Sequence, residues 1–273
     1  MDHRSRVIVT AEALALACAS ARPPVLLCVR SAGQSGLAAF ATSPRIAGAV
    51  DVDLPTELAG PGGGIRGSRP LPAIADLQTH ARRWGISQGD AVVVYDHDRL
   101  LQAARGWWLL RWAGIVDVRL LDGGFAAWRE AGLPSVNDVP RPNTGDVALS
   151  PGHMPELDAD GAAAMARAGV LLDSRVRPNY IGGHIAGAIS APAVDNLTEA
   201  GTFAGAETLR HLYDALGADG TRPVGVSCGA GVSAAHDVAA LASIGQSAAL
   251  FVGSWSAWSA DFARPVVIGG RPG

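Results

Sequence analysis

The hydrophobic pattern of the chain consists of short apolar runs, each followed by a longer stretch of mixed apolar and polar positions. In the first half, the runs predict strands at Val25–Val29, Val92–Tyr95 and Val118–Leu121, and helices near Ile74–Trp84 and Ala104–Ala113. In the second half, they predict strands at Val170–Asp173, Val224–Ser227 and Ala249–Val252, and helices near Glu207–Leu216, Val232–Ala242 and Trp255–Phe262. This alternation predicts an α/β fold with mainly parallel sheets, each flanked by helices on both faces.

The N-terminal segment has the outline of a secretory signal, because Arg4 and Arg6 precede an apolar run that ends in ACASA. Glu12 interrupts that run, and Thr10 is well placed to cap a helix over 11–19. We therefore expect a strand, a cap and a helix here, with no cleavage. No apolar run reaches the roughly 18 residues of a membrane span, so none is expected.

Four blocks of the first half recur in the same order in the second half. Val25–Arg30 recurs as Val170–Arg175, Arg45–Val50 as His184–Ile189, Val92–Asp96 as Val224–Cys228, and Leu120–Trp128 as Leu250–Trp258. Two copies of so long a unit indicate duplication of a whole domain. We predict a first domain over 7–135, a proline-rich linker over 136–155 and a second domain over 156–269.

The composition narrows the class of protein. Of the 273 residues, 48% are hydrophobic and 17% charged, which is typical of a globular chain, and a net charge of -3 gives no support for nucleic-acid binding. The three cysteines, Cys18, Cys28 and Cys228, form no spaced framework, so a reduced, cytoplasmic setting is expected. The seven histidines lack metal-ligand spacing, and no metal site is expected.

Cys228 stands where the strand Val224–Ser227 passes into the helix that follows. Gly229 and Gly231 give the intervening loop a freedom that lets backbone N–H groups face the sulfur. The helix N-terminus favours a negative charge by roughly 0.3–2 kcal/mol. Cys228 is therefore the candidate nucleophile. Cys18 and Cys28 have no glycine loop and no nearby cationic run, and we expect them to be structural.

The loop CGAGVSA resembles the active-site loop of the rhodanese family, the thiosulfate and 3-mercaptopyruvate sulfurtransferases. The resemblance implies two tandem rhodanese-like domains, a persulfide on Cys228 and no cofactor. It also implies that the sulfur is bound by the loop residues Gly229, Ala230, Gly231, Val232, Ser233 and Ala234. A cysteine phosphatase is set aside, because Ala234 occupies the position of its phosphate-binding arginine.

The resemblance also predicts a division of labour between the two copies. Asp96 takes the place of Cys228 in the first copy, where it cannot carry sulfur and is expected to cap the next helix. The first domain is then non-catalytic. His184, in the recurring Gly-His-Ile block, is expected to hold a loop against the sheet.

The choice of sulfur donor depends on arginines, because thiosulfate and mercaptopyruvate are anions. Mercaptopyruvate enzymes of the family carry an Arg-Phe or Arg-Tyr pair where this chain has Asn179-Tyr180. Arg177, Arg175 and Arg45 are the remaining candidates for anion binding. We expect a sulfurtransferase that moves sulfane sulfur from thiosulfate to cyanide or a thiol. A 3-mercaptopyruvate sulfurtransferase, and a non-enzymatic sulfur-relay or binding module, remain open.

Overall fold

A computed structural model of the chain describes residues 2–31 and 40–273. The described residues divide into two compact units. The first comprises residues of 1–60, 72–153 and 199–202, and the second comprises 61–71, 154–198 and 203–273. Segment 61–71 therefore groups with the second unit, and it contains a 3-10 turn at Gly64–Arg66.

The first unit contains a five-stranded parallel sheet in the order β1-β5-β4-β2-β3. Its strands are β1 (Ile8–Val9), β2 (Val25–Arg30), β3 (Val50–Asp53), β4 (Val92–Tyr95) and β5 (Val118–Leu121). Its helices are α1 (Ala11–Cys18), α2 (Leu54–Glu57), α3 (Ile74–Arg83), α4 (Leu101–Trp112) and α5 (Gly124–Glu130). The Thr10 side chain accepts a hydrogen bond from Ala13 N, which confirms the predicted cap of α1.

Alternation along the strands separates the two cores of this sheet. Cys28 and Tyr95 point to the face covered by α1 and α5. The neighbouring Val29 and Val94 lie against Gly106 of α4 on the other face, where a Cβ on Gly106 would lie 3.2 Å from either valine. Both faces are thus buried, which is why β4 is apolar throughout.

The second unit repeats this topology, with a parallel sheet in the order β6-β11-β10-β7-β9. Its strands are β6 (Glu156–Leu157), β7 (Val170–Asp173), β9 (Ile189–Ser190), β10 (Val224–Ser227) and β11 (Ala248–Phe251), and a separate antiparallel pair joins β8 (His184–Ile185) to β12 (Val266–Val267). Its helices are α6 (Ala159–Ala168), α7 (Arg177–Ile181), α8 (Ala206–Ala215), α9 (Ser233–Ser243) and α10 (Ser254–Trp258). The shared strand order confirms the predicted duplication.

The last helix is shorter than the sequence predicts, since α10 ends at Trp258 and not at Phe262. The chain turns there, with Asp261 N donating to Trp258 O, and Trp258 Nε1 donates to Pro265 O at 3.0 Å. Phe262 is left 99% exposed, so no packing extends the helix as far as that residue.

Part of the segment 136–155, the predicted linker, packs against the rest of the first unit. Gly145 N donates to Arg82 O, Val147 N donates to Ile86 O, and Val147 is only 3% exposed. Residues up to 153 accordingly belong to the first unit.

Candidate active site

Cys228 directly follows β10, at the end of the sheet where the parallel strands have their carboxyl ends. Its residue is 1% exposed, and its sulfur accepts a hydrogen bond from Gly231 N at 3.1 Å. Gly231 has φ +72°, a left-handed conformation that turns its N–H back toward the sulfur. The loop amide predicted to face the sulfur is thus present at Gly231.

The other predicted loop residues have different surroundings. Gly229 lacks a left-handed conformation, and a Cβ added to it would meet no atom within 4 Å. The freedom predicted for Gly229 is therefore not required by the fold, since the backbone turns at Gly231 alone. Ala230, Val232 and Ser233 are half-buried, with Ser233 starting α9, and Ala234 is buried in its first turn.

Ser254 contacts the candidate nucleophile and was missed by the sequence analysis. Its Oγ accepts a hydrogen bond from Cys228 N at 3.0 Å, donates to Phe251 O at 2.7 Å and lies 3.8 Å from Cys228 Sγ. Ser254 is fully buried and has φ +50°, which is rare for a residue with a side chain. The available signal was the repeat, because Gly124 with φ +59° occupies the same position in the first copy.

Two further hydrogen bonds between backbone groups join the start of α10 to the cysteine loop. Trp255 N donates to Cys228 O, and Ser256 N donates to Gly229 O, both at 2.9 Å. Cys228 is thus held from both sides, by α10 through its backbone and by Gly231 through its sulfur.

Asp96 occupies the corresponding place in the first unit. Its buried carboxylate accepts four backbone hydrogen bonds of 2.8–2.9 Å, from Asp98, Leu100, Gln102 and Ala103. Two of these donors lie in the first turn of α4, which is why that helix starts before the predicted Ala104. Burial raises the pKa of Asp96, and the four N–H groups oppose the increase. The carboxylate fills the loop that surrounds sulfur in the second copy.

Two of the three candidate anion-binding arginines are already bound to carboxylates. Arg175 is 8% exposed, donates to both carboxylate oxygens of Asp173 and to Gly183 O, and stacks on Trp255. Arg45 is fully buried and pairs with Asp51. Arg177 is exposed at the start of α7. These contacts favour structural roles for Arg175 and Arg45 and leave Arg177 as the better candidate.

The remaining residues singled out in the sequence have structural surroundings. Cys28 is fully buried, and burial raises the pKa of its thiol to about 11. One cation contacts Cys28, because Arg30 Nε donates to its sulfur at 3.1 Å. Burial also raises the pKa of Cys18. His184 is buried with its ring nitrogens at Tyr180 O and Arg271 O, so it joins a loop to the C-terminal segment.

Among residues 2–31 and 40–273, no group of three histidine, cysteine or acidic side chains is arranged to hold a metal ion. In the same part of the chain, every helix is too short or too polar to cross a membrane.

Comparisons with known proteins agree with this fold. The family described as "Rhodanese-like domain" matches the chain twice, over residues 24–131 and 158–261. The crystal structure of SseA from Escherichia coli, a 3-mercaptopyruvate sulfotransferase, superposes with a TM-score of 0.80 at 24% identity, covering 91% of this chain and 98% of that one. At this identity the likeness shows the fold alone.

Sequence relatives extend the comparison to named enzymes. A Mycobacterium tuberculosis protein named "Putative thiosulfate sulfurtransferase SseB" is 43% identical over 97% of this chain and 98% of its own length. A Pseudomonas aeruginosa protein named "Probable 3-mercaptopyruvate sulfurtransferase" is 40% identical over 82% and 84%. Thiosulfate sulfurtransferase of Bos taurus is 31% identical over 69% of each chain. The chain belongs to the rhodanese family and is a sulfurtransferase with two rhodanese-like domains.

Proposed function

We propose that the protein transfers the sulfane sulfur of thiosulfate to a thiophilic acceptor through a persulfide on Cys228. The observation that carries the proposal is the bond from Gly231 N to Cys228 Sγ, which places a donor where the sulfur becomes anionic. Within this proposal, 7–135 is the non-catalytic domain, 136–155 the linker and 156–269 the catalytic domain.

The first step forms one sulfur–sulfur bond and breaks another. The Cys228 thiolate attacks the outer sulfur of thiosulfate, and sulfite leaves with the electron pair of the broken bond. The persulfide that remains carries the negative charge on its outer sulfur. The Gly231 N–H, which donates to Cys228 Sγ, stabilises the starting thiolate. No proton has to be delivered, since sulfite leaves as an anion.

The second step returns the enzyme to its starting state. Cyanide, or the thiolate of an acceptor, attacks the outer sulfur of the persulfide, and the Cys228 thiolate leaves with its electron pair. Arg177, exposed at the start of α7, is the proposed source of positive charge for the anionic donor. The loop residues 229–234 are the proposed binding site of the transferred sulfur.

Intact-mass analysis after incubation with thiosulfate tests the proposal. We expect the wild-type protein to gain one sulfur atom and Cys228→Ser to gain none. Cys28→Ser is the matched control, because it removes a buried thiol from the first unit and should still load. Sulfur on the Cys228→Ser variant would exclude Cys228 as the carrier, and no gain on the wild type would exclude thiosulfate as the donor.

Mercaptopyruvate is the second candidate donor, because the Pseudomonas aeruginosa relative carries that name. Asn179 replaces one of the arginines that the family resemblance implies for a keto acid. The resemblance also implies, for a mercaptopyruvate enzyme, a serine two residues after the cysteine as part of a proton relay, and this chain has Ala230 there. We therefore expect a higher kcat/KM for thiosulfate. A clear preference for mercaptopyruvate, measured with a common acceptor, would overturn the choice of donor.

A further inference from the structure

A buried polar network lies between α9 and the neighbouring elements of the second unit. Asp237 of α9 is 1% exposed, and its carboxylate accepts hydrogen bonds from Ser174 Oγ and Asn196 Nδ2, both at 2.6 Å. Tyr213 of α8 donates to Asn196 Oδ1 at 2.8 Å. Each polar group here has a partner on another element, so the network joins α8, α9 and the turn Ala193–Asn196 to the end of β7.

Ser174 is the member of this network that contacts both ends of the cysteine loop. Its backbone N donates to Ser227 O at 2.8 Å, and Ser227 is the residue directly before Cys228. Its side-chain hydroxyl donates to Asp237, one helical turn beyond Ser233, where α9 starts. The segment between these two anchors contains Cys228 and Gly231. One residue therefore bonds both the end of the strand before the loop and the helix after it.

We propose that Ser174 and Asp237 form a brace that positions the Cys228 loop for sulfur transfer. Both are positioning residues, since they act through the backbone of 227–233 and not on the sulfur itself. The expected effect on the rate of sulfur transfer rests on the proposed function. The expected effect on the position of the Gly231 amide does not.

The chemistry of the brace fits this role. A bond between a buried hydroxyl and a carboxyl group persists in either protonation state, because a serine hydroxyl both donates and accepts. The charged or titratable groups around Asp237 are Asp173 on β7, Asp195 on the turn before α8, Tyr213 on α8 and His236 on its own helix. Burial raises the pKa of Asp237 to about 7. An isosteric amide should therefore preserve the brace.

Three variants separate positioning from general stability. Ser174→Ala removes one bond of the brace, and Asp237→Asn keeps a group of the same shape that can bond both Ser174 and Asn196. Ser243→Ala is the matched control, because Ser243 is also buried in α9 and its Oγ donates to Ala240 O at 2.7 Å, at the end of α9 remote from Cys228 in sequence. All three should be compared at a temperature where thermal unfolding shows each to be native.

The first readout is amide hydrogen exchange at Gly231, followed by NMR in the absence of any donor. We expect the Gly231 amide to exchange roughly tenfold or more faster in Ser174→Ala, because in that variant the Gly231 N–H is no longer held toward the sulfur. Asp237→Asn and Ser243→Ala should match the wild type. Equal exchange in Ser174→Ala and Ser243→Ala would overturn the brace, whatever the protein does with thiosulfate.

The second readout is the single-turnover rate of persulfide formation with thiosulfate. Misplacement of the loop should lower the rate constant roughly 10- to 100-fold in Ser174→Ala, while the apparent Kd for thiosulfate changes little. Asp237→Asn should form the persulfide at a rate near that of the wild type. A rate constant unchanged in Ser174→Ala would overturn the kinetic part of the inference. If the wild type takes up no sulfur, the proposed function fails and the exchange result still decides the brace.

Discussion

The backbone N–H of Cys228 donates to the hydroxyl of Ser254 at 3.0 Å, and that hydroxyl donates to Phe251 O at 2.7 Å. A serine hydroxyl has one proton, so the shorter contact to Phe251 O uses it, and Cys228 Sγ at 3.8 Å is left as a second acceptor within reach. When charge develops on the sulfur, the hydroxyl has two competing acceptors. Ser254 therefore combines a fixed bond to the backbone of the nucleophile with a donor that is able to turn.

Ser254 also stores conformational strain, since its φ is +50°. Ser254→Ala keeps the strain and leaves the buried N–H of Cys228 without its partner, whereas Ser254→Gly loses the same bond but relieves the strain. We expect Ser254→Ala to be less stable than Ser254→Gly by about 1 kcal/mol, and both to load sulfur more slowly than the wild type. Urea unfolding measures the stability, and equal values for the two variants would mean that the backbone at 254 is not strained.

A pair of glycines in the loop gives a second comparison. Gly231 has φ +72° and donates to Cys228 Sγ, so Gly231→Ala should cost about 1–2 kcal/mol of strain or move the amide away from the sulfur. Gly229→Ala is the control, because alanine keeps the backbone N–H that residue 229 offers to the loop and its Cβ would meet no atom within 4 Å. We expect sulfur loading to fall by an order of magnitude or more in Gly231→Ala and to stay near wild type in Gly229→Ala. Similar loading in the two variants would exclude the proposed role of the Gly231 amide.

The strand, loop and helix around Cys228 are predictable because the evidence for them is local. Val224 and Val226 indicate the strand, and glycine at 231 indicates a turn that excludes most side chains. The left-handed conformation of Ser254 has no such signal, because serine rarely adopts it and only the aligned Gly124 suggests it. The network of Ser174, Asn196, Tyr213 and Asp237 joins residues far apart in sequence, and only the packing of α8 and α9 brings them together.

In the first unit, Asp96 provides a stability test independent of sulfur chemistry. Its carboxylate accepts hydrogen bonds from four buried or part-buried N–H groups, and Asp96→Ala would remove the acceptor of all four. For four N–H groups at about 1–3 kcal/mol each, the total loss should be at least about 4 kcal/mol. Asp98→Ala, at an exposed position two residues further on, is the control and should change stability by less than about 0.5 kcal/mol. Thermal unfolding measures both, and a tolerated Asp96→Ala would show that water replaces the carboxylate.

Two adjacent buried groups of α9 should make opposite contributions to the pH dependence of stability. Burial raises the pKa of Asp237 from 3.8 to about 7 and lowers that of His236 from 6.5 to about 3. Between pH about 4 and 7 the native protein holds a proton on Asp237 that the unfolded chain releases, so this group makes stability fall as pH rises. Between pH about 3 and 6.5 the unfolded chain binds a proton on His236 that the native protein does not, so this group makes stability rise with pH.

The two slopes therefore nearly cancel in the wild type over about pH 4 to 6.5, and single variants should reveal each of them. Asp237→Asn removes the falling contribution, so its stability relative to the wild type should increase as pH rises toward 7. His236→Asn removes the rising contribution, so its relative stability should decrease over the same range. Each slope is limited to about 1.4 kcal/mol per pH unit for one proton. Urea unfolding of the three proteins at several pH values measures the difference in free energy of unfolding between each variant and the wild type. Other titrating groups, such as His97, contribute equally to all three proteins and cancel in these differences. Parallel curves for Asp237→Asn and the wild type would show that Asp237 does not hold a proton in the native protein near neutral pH.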